Sequence, residues 1–201
     1  GRAVLAVFGL ATHSMARAAD VRKMPAGMAF EEAATLPVVF MTAWYALDTV
    51  ARLKKGERIL VHAGAGGVGM AAIQIAHHLG AEVIASAGSP AKRALLGVLG
   101  VKHVIDSRRA DFAEDVMEIT HGEGVHVVLN ALSAEAIPMG LSCLAQSGRF
   151  VEIGKRDITA LADYLAEKPY FMGSTACSFD ATAYGFLANL MLVPIESPLK
   201  K

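Results

Sequence analysis

The sequence predicts an open parallel β-sheet doubly wound with α-helices on both faces. Three observations carry that prediction. From Arg58 onward, short β-rich apolar runs alternate with stretches whose apolar residues recur at helical spacing, which is the pattern of βαβ units. The runs show little polar alternation, as expected of strands covered on both faces. The first run leads directly into a glycine-rich turn and then small apolar residues, "ILVHAGAGGVGMAA" over residues 59–72.

Taken in order, strands are expected at 58–62 (RILVH), 82–86 (EVIAS), 103–106 (HVID), 125–129 (VHVVL) and 149–153 (RFVEI). Helices are expected at 67–79, 90–99, 110–120 and 134–144. Ser89-Pro90 places a cap residue and a first-turn proline at the start of the second helix. Gly80 and Gly100 stand where the first two helices must stop, and Gly122 and Gly124 flank the turn into the fourth strand.

Before residue 58 the pattern differs. Residues 2–8 and 12–19 read as short strands, and a Pro-Gly turn then precedes a helix whose first turn carries Glu31 and Glu32, where acidic groups suit the helix dipole. The uncharged run Ala33–Leu47 is shorter than the roughly 20 residues a membrane helix needs. Pro37 interrupts it, so it reads as a buried helix, continuing over 38–53. After Gly154 a helix near 158–166 and a strand near 170–178 are expected, followed by a loose tail.

Composition bounds the function. Over half of the 201 residues are apolar (54%), so the chain can bury a core. Lys and Arg number 19, as do Asp and Glu, and this even balance argues against nucleic acid or an anionic membrane as a main partner. Cys143 and Cys177 are far apart, without CxxC or His-rich company; no metal site and a reduced, cytoplasmic location are expected. Residues 1–11 are apolar but lack an initiator Met and a cleavage site, and read as an internal segment of a longer protein rather than a signal peptide.

The turn after the first strand carries the chemistry. Gly64, Gly66 and Gly69 match G-x-G-x-x-G, with Gly67 and Val68 inside the motif, and the pattern follows a strand and opens a helix. The first glycine makes the tight turn, the second lets backbone approach a pyrophosphate, and the third lets helix and strand pack closely. The helix start supplies N–H groups and a positive dipole end for phosphate. A Walker loop is excluded, because no Gly-Lys-Ser/Thr follows. An NAD site would place Asp or Glu at the end of the second strand. That strand ends instead in Ser86-Ala87-Gly88-Ser89, followed by Lys92 and Arg93. A hydroxyl and cations suit a 2′-phosphate, which indicates NADPH with Ser89, Lys92 and Arg93 as ligands and Arg108 as an addition. His62, His77 and His78 have no ligand spacing to a third group and read as core or surface histidines. Trp44-Tyr45 reads as helix packing.

Six ordered blocks, "FEEAATLPVVFMTAWYAL", "VHAGAGGVGMAAIQIA", "AGSPAKRALL", "VIDSRRADF", "VVLNALSAE" and "GRFVEIGKRDI", closely resemble the enoyl reductase domain of modular polyketide synthases and animal-type fatty acid synthases. That family is a zinc-free branch of the medium-chain dehydrogenase/reductases. The resemblance implies a Rossmann-type cofactor domain over 31–190, a remnant of a GroES-like substrate domain over 1–30 and a loose tail over 191–201. It further implies NADPH-dependent reduction of a 2-enoyl thioester on an acyl carrier protein, beside other domains of a multienzyme and as a homodimer. Lys155 matches a lysine proposed as proton donor, Asp180 its acidic partner, Thr42 a nicotinamide contact, and Asn130 a backbone contact near the nicotinamide ribose. Leu132 and Gly154 complete the cofactor set. Two other functions fit the glycine loop: a free-standing zinc-free quinone or alkenal reductase, and a non-catalytic module that binds cofactor and dimerises through strand 170–178.

Overall fold

The computed structural model describes residues 4–5, 15–109, 111–132 and 136–154. A two-stranded antiparallel ribbon pairs β1 (Val4–Leu5) with β2 (Arg22–Lys23). The strand expected over 12–19 is not there in its described part: 15–17 form no regular element and Ala18–Asp20 make a 3₁₀ turn. Helix α1 (Phe30–Trp44) follows, and Glu32 at its third position accepts from the Ala29 N–H at 3.1 Å.

Beyond it lie β3 (Arg58–Val61), α2 (Gly67–His78), β4 (Glu82–Ser86), α3 (Pro90–Val98) and β5 (His103–Ile105). Then come α4 (Phe112–Ile119), β6 (Val125–Asn130), α5 (Ile137–Ser142) and β7 (Leu144–Glu152). The five main strands are parallel in the order β5-β4-β3-β6-β7. Two apolar layers cover the sheet. One includes Ile59, Val61, Ile73 and Leu129, the other Leu60, Ile84, Phe112 and Val128. Alternate residues of β3 therefore face opposite layers, which is why no polar alternation was visible. The left-handed glycines Gly80, Gly100, Gly122 and Gly124 stand at the expected stops, with φ between 76° and 85°.

The details of the long helix and of the last strand differ from the sequence reading. Pro37 lies inside α1 without ending it, and the helix continues as a π-helical segment, Tyr45–Val50. The helix runs on through Pro37, as the reading over 38–53 expected, because proline removes only its own N–H bond and neighbouring turns hold the helix. It is not mostly buried, however: Val38, Met41, Trp44 and Tyr45 are exposed. By length and composition alone Phe30–Val50, 21 residues, suffice to cross a membrane, as core helices of soluble proteins also can. Trp44 and Tyr45 do not pack inward; with Phe40, Met41, Thr49 and Ile75 they line an open apolar depression of about 350 Å³. Finally, β7 starts at Leu144, five residues early, and enters through a register shift opposite Val125–Val127. The helix near 158–166, the strand near 170–178 and the tail lie outside the described residues.

Candidate dinucleotide site

The strand order creates the site. From β3 the chain winds through β4 to β5 on one side, then crosses back to β6 and β7 on the other. The loops leaving β3 and β6 therefore diverge and open a crevice at their carboxyl ends, where open α/β sheets bind ligands.

The glycine loop occupies that crevice. It is tied to both neighbours: His62 N–H donates to Leu129 O on β6 (3.1 Å), and Gly64 N–H donates to Ser86 O on β4 (2.9 Å). Each glycine has its own packing reason. A Cβ on Gly64 would stand 3.1 Å from Ala85 Cβ and 3.3 Å from Leu96, so β4 and α3 crowd the first glycine. A Cβ on Gly69 would press on Ala63 O and come within 2.7 Å of Gly64 Cα, so α2 lies directly on the loop. Gly67 lies against Val39 of α1. Gly66 is crowded at one atom: a Cβ there would stand 3.1 Å from Ala63 O, with no other contact within 4 Å. Gly66 is also the N-cap of α2 and provides no side-chain cap for its first-turn N–H groups. Exposed backbone at a helix start with no side chain over it suits a pyrophosphate. Val68 sits in that first turn, half-buried. Thr42 lies three residues beyond Val39 on α1, its hydroxyl donating to Val38 O at 2.8 Å.

At the end of β4 the residues expected around a 2′-phosphate separate into two groups. Ser89 caps α3 by accepting from the Lys92 N–H at 3.4 Å, and the Lys92 side chain is exposed. Arg108 lies over the turn, with its Nε 2.9 Å from where a Gly88 Cβ would be. Arg93 is engaged elsewhere: its Nη1 donates to Ala87 O at 3.1 Å and pairs with Asp106 Oδ2 at 2.7 Å. Asp106 in turn accepts from the Arg108 N–H at 3.0 Å. Arg93 thus braces the turn that carries Arg108. No sign of this was legible along the chain, because Asp106 lies on the next strand's exit.

On the other side of the crevice Asn130 is fully buried at the end of β6. Its Oδ1 accepts from the Leu132 N–H at 3.3 Å, and its Nδ2 donates to Leu132 O at 3.2 Å and to Glu152 Oε2 at 2.5 Å. Glu152 Oε1 accepts from the Gly154 N–H at 2.6 Å. Sequence reading passed over Glu152; its signal was a lone carboxylate at the end of the apolar run RFVEI. Lys155 and Asp180 lie outside the described residues.

The histidines behave as expected. His62 is buried, with Nδ1 and Ser86 Oγ hydrogen-bonded at 2.7 Å and its ring edge-on to Phe112 at 5.1 Å. Burial pushes its pKa down to about 4. His77 and His78 are exposed in the last turn of α2. Cys143 is free and buried, and burial pushes its thiol up to about 12.

A parallel sheet with this switch point and a glycine loop at a helix start defines a dinucleotide-binding domain, and the exit of its second strand, Ser86–Ser89, carries no carboxylate. The pattern of the zinc-binding dehydrogenase family matches residues 67–190. A phenolphthiocerol/phthiocerol polyketide synthase of Mycobacterium tuberculosis is 50% identical over 149 residues, 74% of this chain. This chain spans 7% of that protein's length. Among solved structures, the nucleotide-binding subdomain of the enoyl reductase domain of PpsC from Mycobacterium tuberculosis is 42% identical with a TM-score of 0.59, covering 78% of this chain and 85% of that one. A mycobacterial protein solved in complex with NADPH is 37% identical with a TM-score of 0.64, covering 69% of this chain and 43% of that one. The chain belongs to the zinc-binding dehydrogenase family and, within it, to the enoyl reductase domains of polyketide synthases. Among the described residues no three His, Cys, Asp or Glu side chains converge as metal ligands.

Proposed function

We propose that this chain is the cofactor-binding part of an NADPH-dependent enoyl reductase that reduces the 2,3 double bond of an enoyl thioester carried on an acyl carrier protein. The observation that carries this reading is the β4 exit: no carboxylate, with the Ser89 hydroxyl, exposed Lys92 and Arg108 around one turn. The NADPH-complexed relative supports the same choice of cofactor. The residues fit the cofactor by halves. Gly66 and the α2 start take the pyrophosphate, the β4 turn the 2′-phosphate, and Thr42, Asn130, Leu132 and Gly154 flank the nicotinamide half.

When bound, NADPH supplies the hydride that goes to Cβ. The developing charge on the thioester oxygen and Cα needs a donor. Lys155, one residue past Gly154, is proposed to give the proton to Cα, with Asp180 as its partner. The balance is one hydride and one proton added across the C=C bond, with NADPH oxidised to NADP⁺. In this reading residues 1–30 belong to a substrate domain, 31–190 to the cofactor domain and 191–201 to a tail. The protein works in a reducing, cytoplasmic compartment as a homodimer, among other domains of a synthase.

The test is a titration of this chain with NADPH and with NADH, followed by nicotinamide fluorescence. Loss of charge-assisted contacts to the 2′-phosphate costs about 1.5–3 kcal/mol each, so a preference for NADPH of roughly tenfold or more is expected. Lys92→Ala should reduce that preference. Equal affinities for the two cofactors would overturn the assignment.

A further inference from the structure

We propose that Glu152 is a positioning residue for the nicotinamide half of the cofactor site, an inference that rests on the NADPH reading above. The strand order sets the geometry. The β4 exit lies on one side of the glycine loop and the exits of β6 and β7 lie on the other. A dinucleotide with its adenosine phosphate at β4 and its pyrophosphate on the loop must extend its second half toward β6 and β7.

There the two exit loops are fastened by one buried carboxylate. Glu152 Oε2 accepts from Asn130 Nδ2 at 2.5 Å and Oε1 accepts from the Gly154 N–H at 2.6 Å. Asn130 passes the constraint to the first wall through Leu132, and Ile153 N–H donates to Asn130 O at 3.0 Å, closing the second wall on the first. A buried carboxylate is costly to desolvate, and an apolar residue would fill the end of a covered strand at less cost. What the carboxylate adds is direction: two acceptor oxygens set the spacing and orientation of both walls at once.

The experiment compares binding of NADPH with binding of 2′,5′-ADP, which has the adenosine phosphates but no nicotinamide, to the whole chain by calorimetry. Glu152→Gln keeps the shape, but once its amide oxygen accepts from Gly154 its NH₂ group faces the NH₂ group of Asn130. The expected result is at least a tenfold loss in NADPH affinity with 2′,5′-ADP affinity unchanged within twofold. The swapped variant Asn130→Asp/Glu152→Gln restores donor to acceptor between the two side chains and leaves Leu132 N–H its acceptor, while Leu132 O loses its donor, so it should bind NADPH at least threefold more tightly than Glu152→Gln alone.

Three results overturn the proposal: Glu152→Gln binding both ligands like the parent, both affinities falling together, or a folded swapped variant that does not recover. Failure of both variants to fold also overturns it, since the network is then structural alone. A parent that binds 2′,5′-ADP, but NADPH no more tightly, overturns it while sparing the 2′-phosphate assignment. A parent that binds neither overturns the NADPH reading itself.

Discussion

The four glycines of the loop are alike in sequence but not in space. Gly69 is pinned by backbone: a Cβ would press on Ala63 O and Gly64 Cα, neither of which can swing away. A Cβ on Gly66 would meet a single atom, Ala63 O at 3.1 Å, which must yield by only a few tenths of an ångström. Gly69→Ala should therefore lose about 1–3 kcal/mol of folding stability from overpacking. Gly66→Ala should change stability by less than about 1 kcal/mol, yet weaken NADPH at least tenfold, because its methyl would occupy the approach to the pyrophosphate. Urea midpoints and NADPH titrations of both variants check this; a Gly66→Ala variant that binds normally would remove the close-approach role. The motif spacing was legible in the sequence. Which glycine serves the fold and which the ligand was not, since that depends on where α2 and β4 come to rest.

At the scale of elements, the long first helix is held to the sheet at its far end by Arg149 of β7. Arg149 Nε donates to Ala51 O at 2.8 Å and Nη2 to Arg52 O at 3.2 Å, and the guanidinium grips Glu57 at 2.8 Å and 2.6 Å. Both partners are largely covered, with side-chain exposures of 15% and 16%. Arg149→Ala leaves three carbonyls (Ala51, Arg52 and His126) and a carboxylate short of donors and should cost about 2–4 kcal/mol. Arg149→Lys should rescue little, because an ammonium cannot reproduce the bidentate fork. Denaturant unfolding gives the cost, and faster amide exchange over Tyr45–Val50 would locate it; unchanged exchange there would refute the anchoring role. In sequence this arginine was one more charge at a strand start, 92 residues from Glu57. The π-helical segment was equally out of reach, because neighbouring turns and this anchor support it.

For the whole molecule two covered groups, His62 and Glu57, contribute to the acid limb of stability. His62 is held neutral, with its folded pKa at about 4 against 6.5 when unfolded. The unfolded chain therefore takes up the proton first, and stability falls as pH drops from 6.5 to 4, by up to about 3 kcal/mol. Glu57 is subject to opposing effects: burial would raise its pKa, but the Arg149 hydrogen bonds, the Lys54 N–H and the charges of Arg149 and His126 hold it below the usual carboxylate range. Its contribution is present above pH 4.5 and is lost as pH falls through its lowered value. His62→Gln should flatten the limb between pH 6.5 and 4 and leave the fall below 4.5. Urea midpoints at half-unit intervals decide it, and a parent protein equally stable at pH 6.5 and pH 4 would refute it.

Local chemistry accounts for everything that could be read along the chain: apolar runs of strand length, helices with their stops at Gly80 and Gly100, and a glycine turn at a strand end. Those features need only neighbours within a few residues, and the absence of a carboxylate after β4 is likewise readable in order. Packing in three dimensions settled the rest. Strand order set the crevice between β3 and β6. It turned Arg93 inward to Asp106, left Arg108 over Gly88, left one face of α1 open, and brought Glu152 to Asn130 across 22 residues of chain. The physical reason is range. Periodicity and capping act over a turn or two of backbone, whereas the partner of a buried charge is whichever group the packed sheet places within about 3 Å.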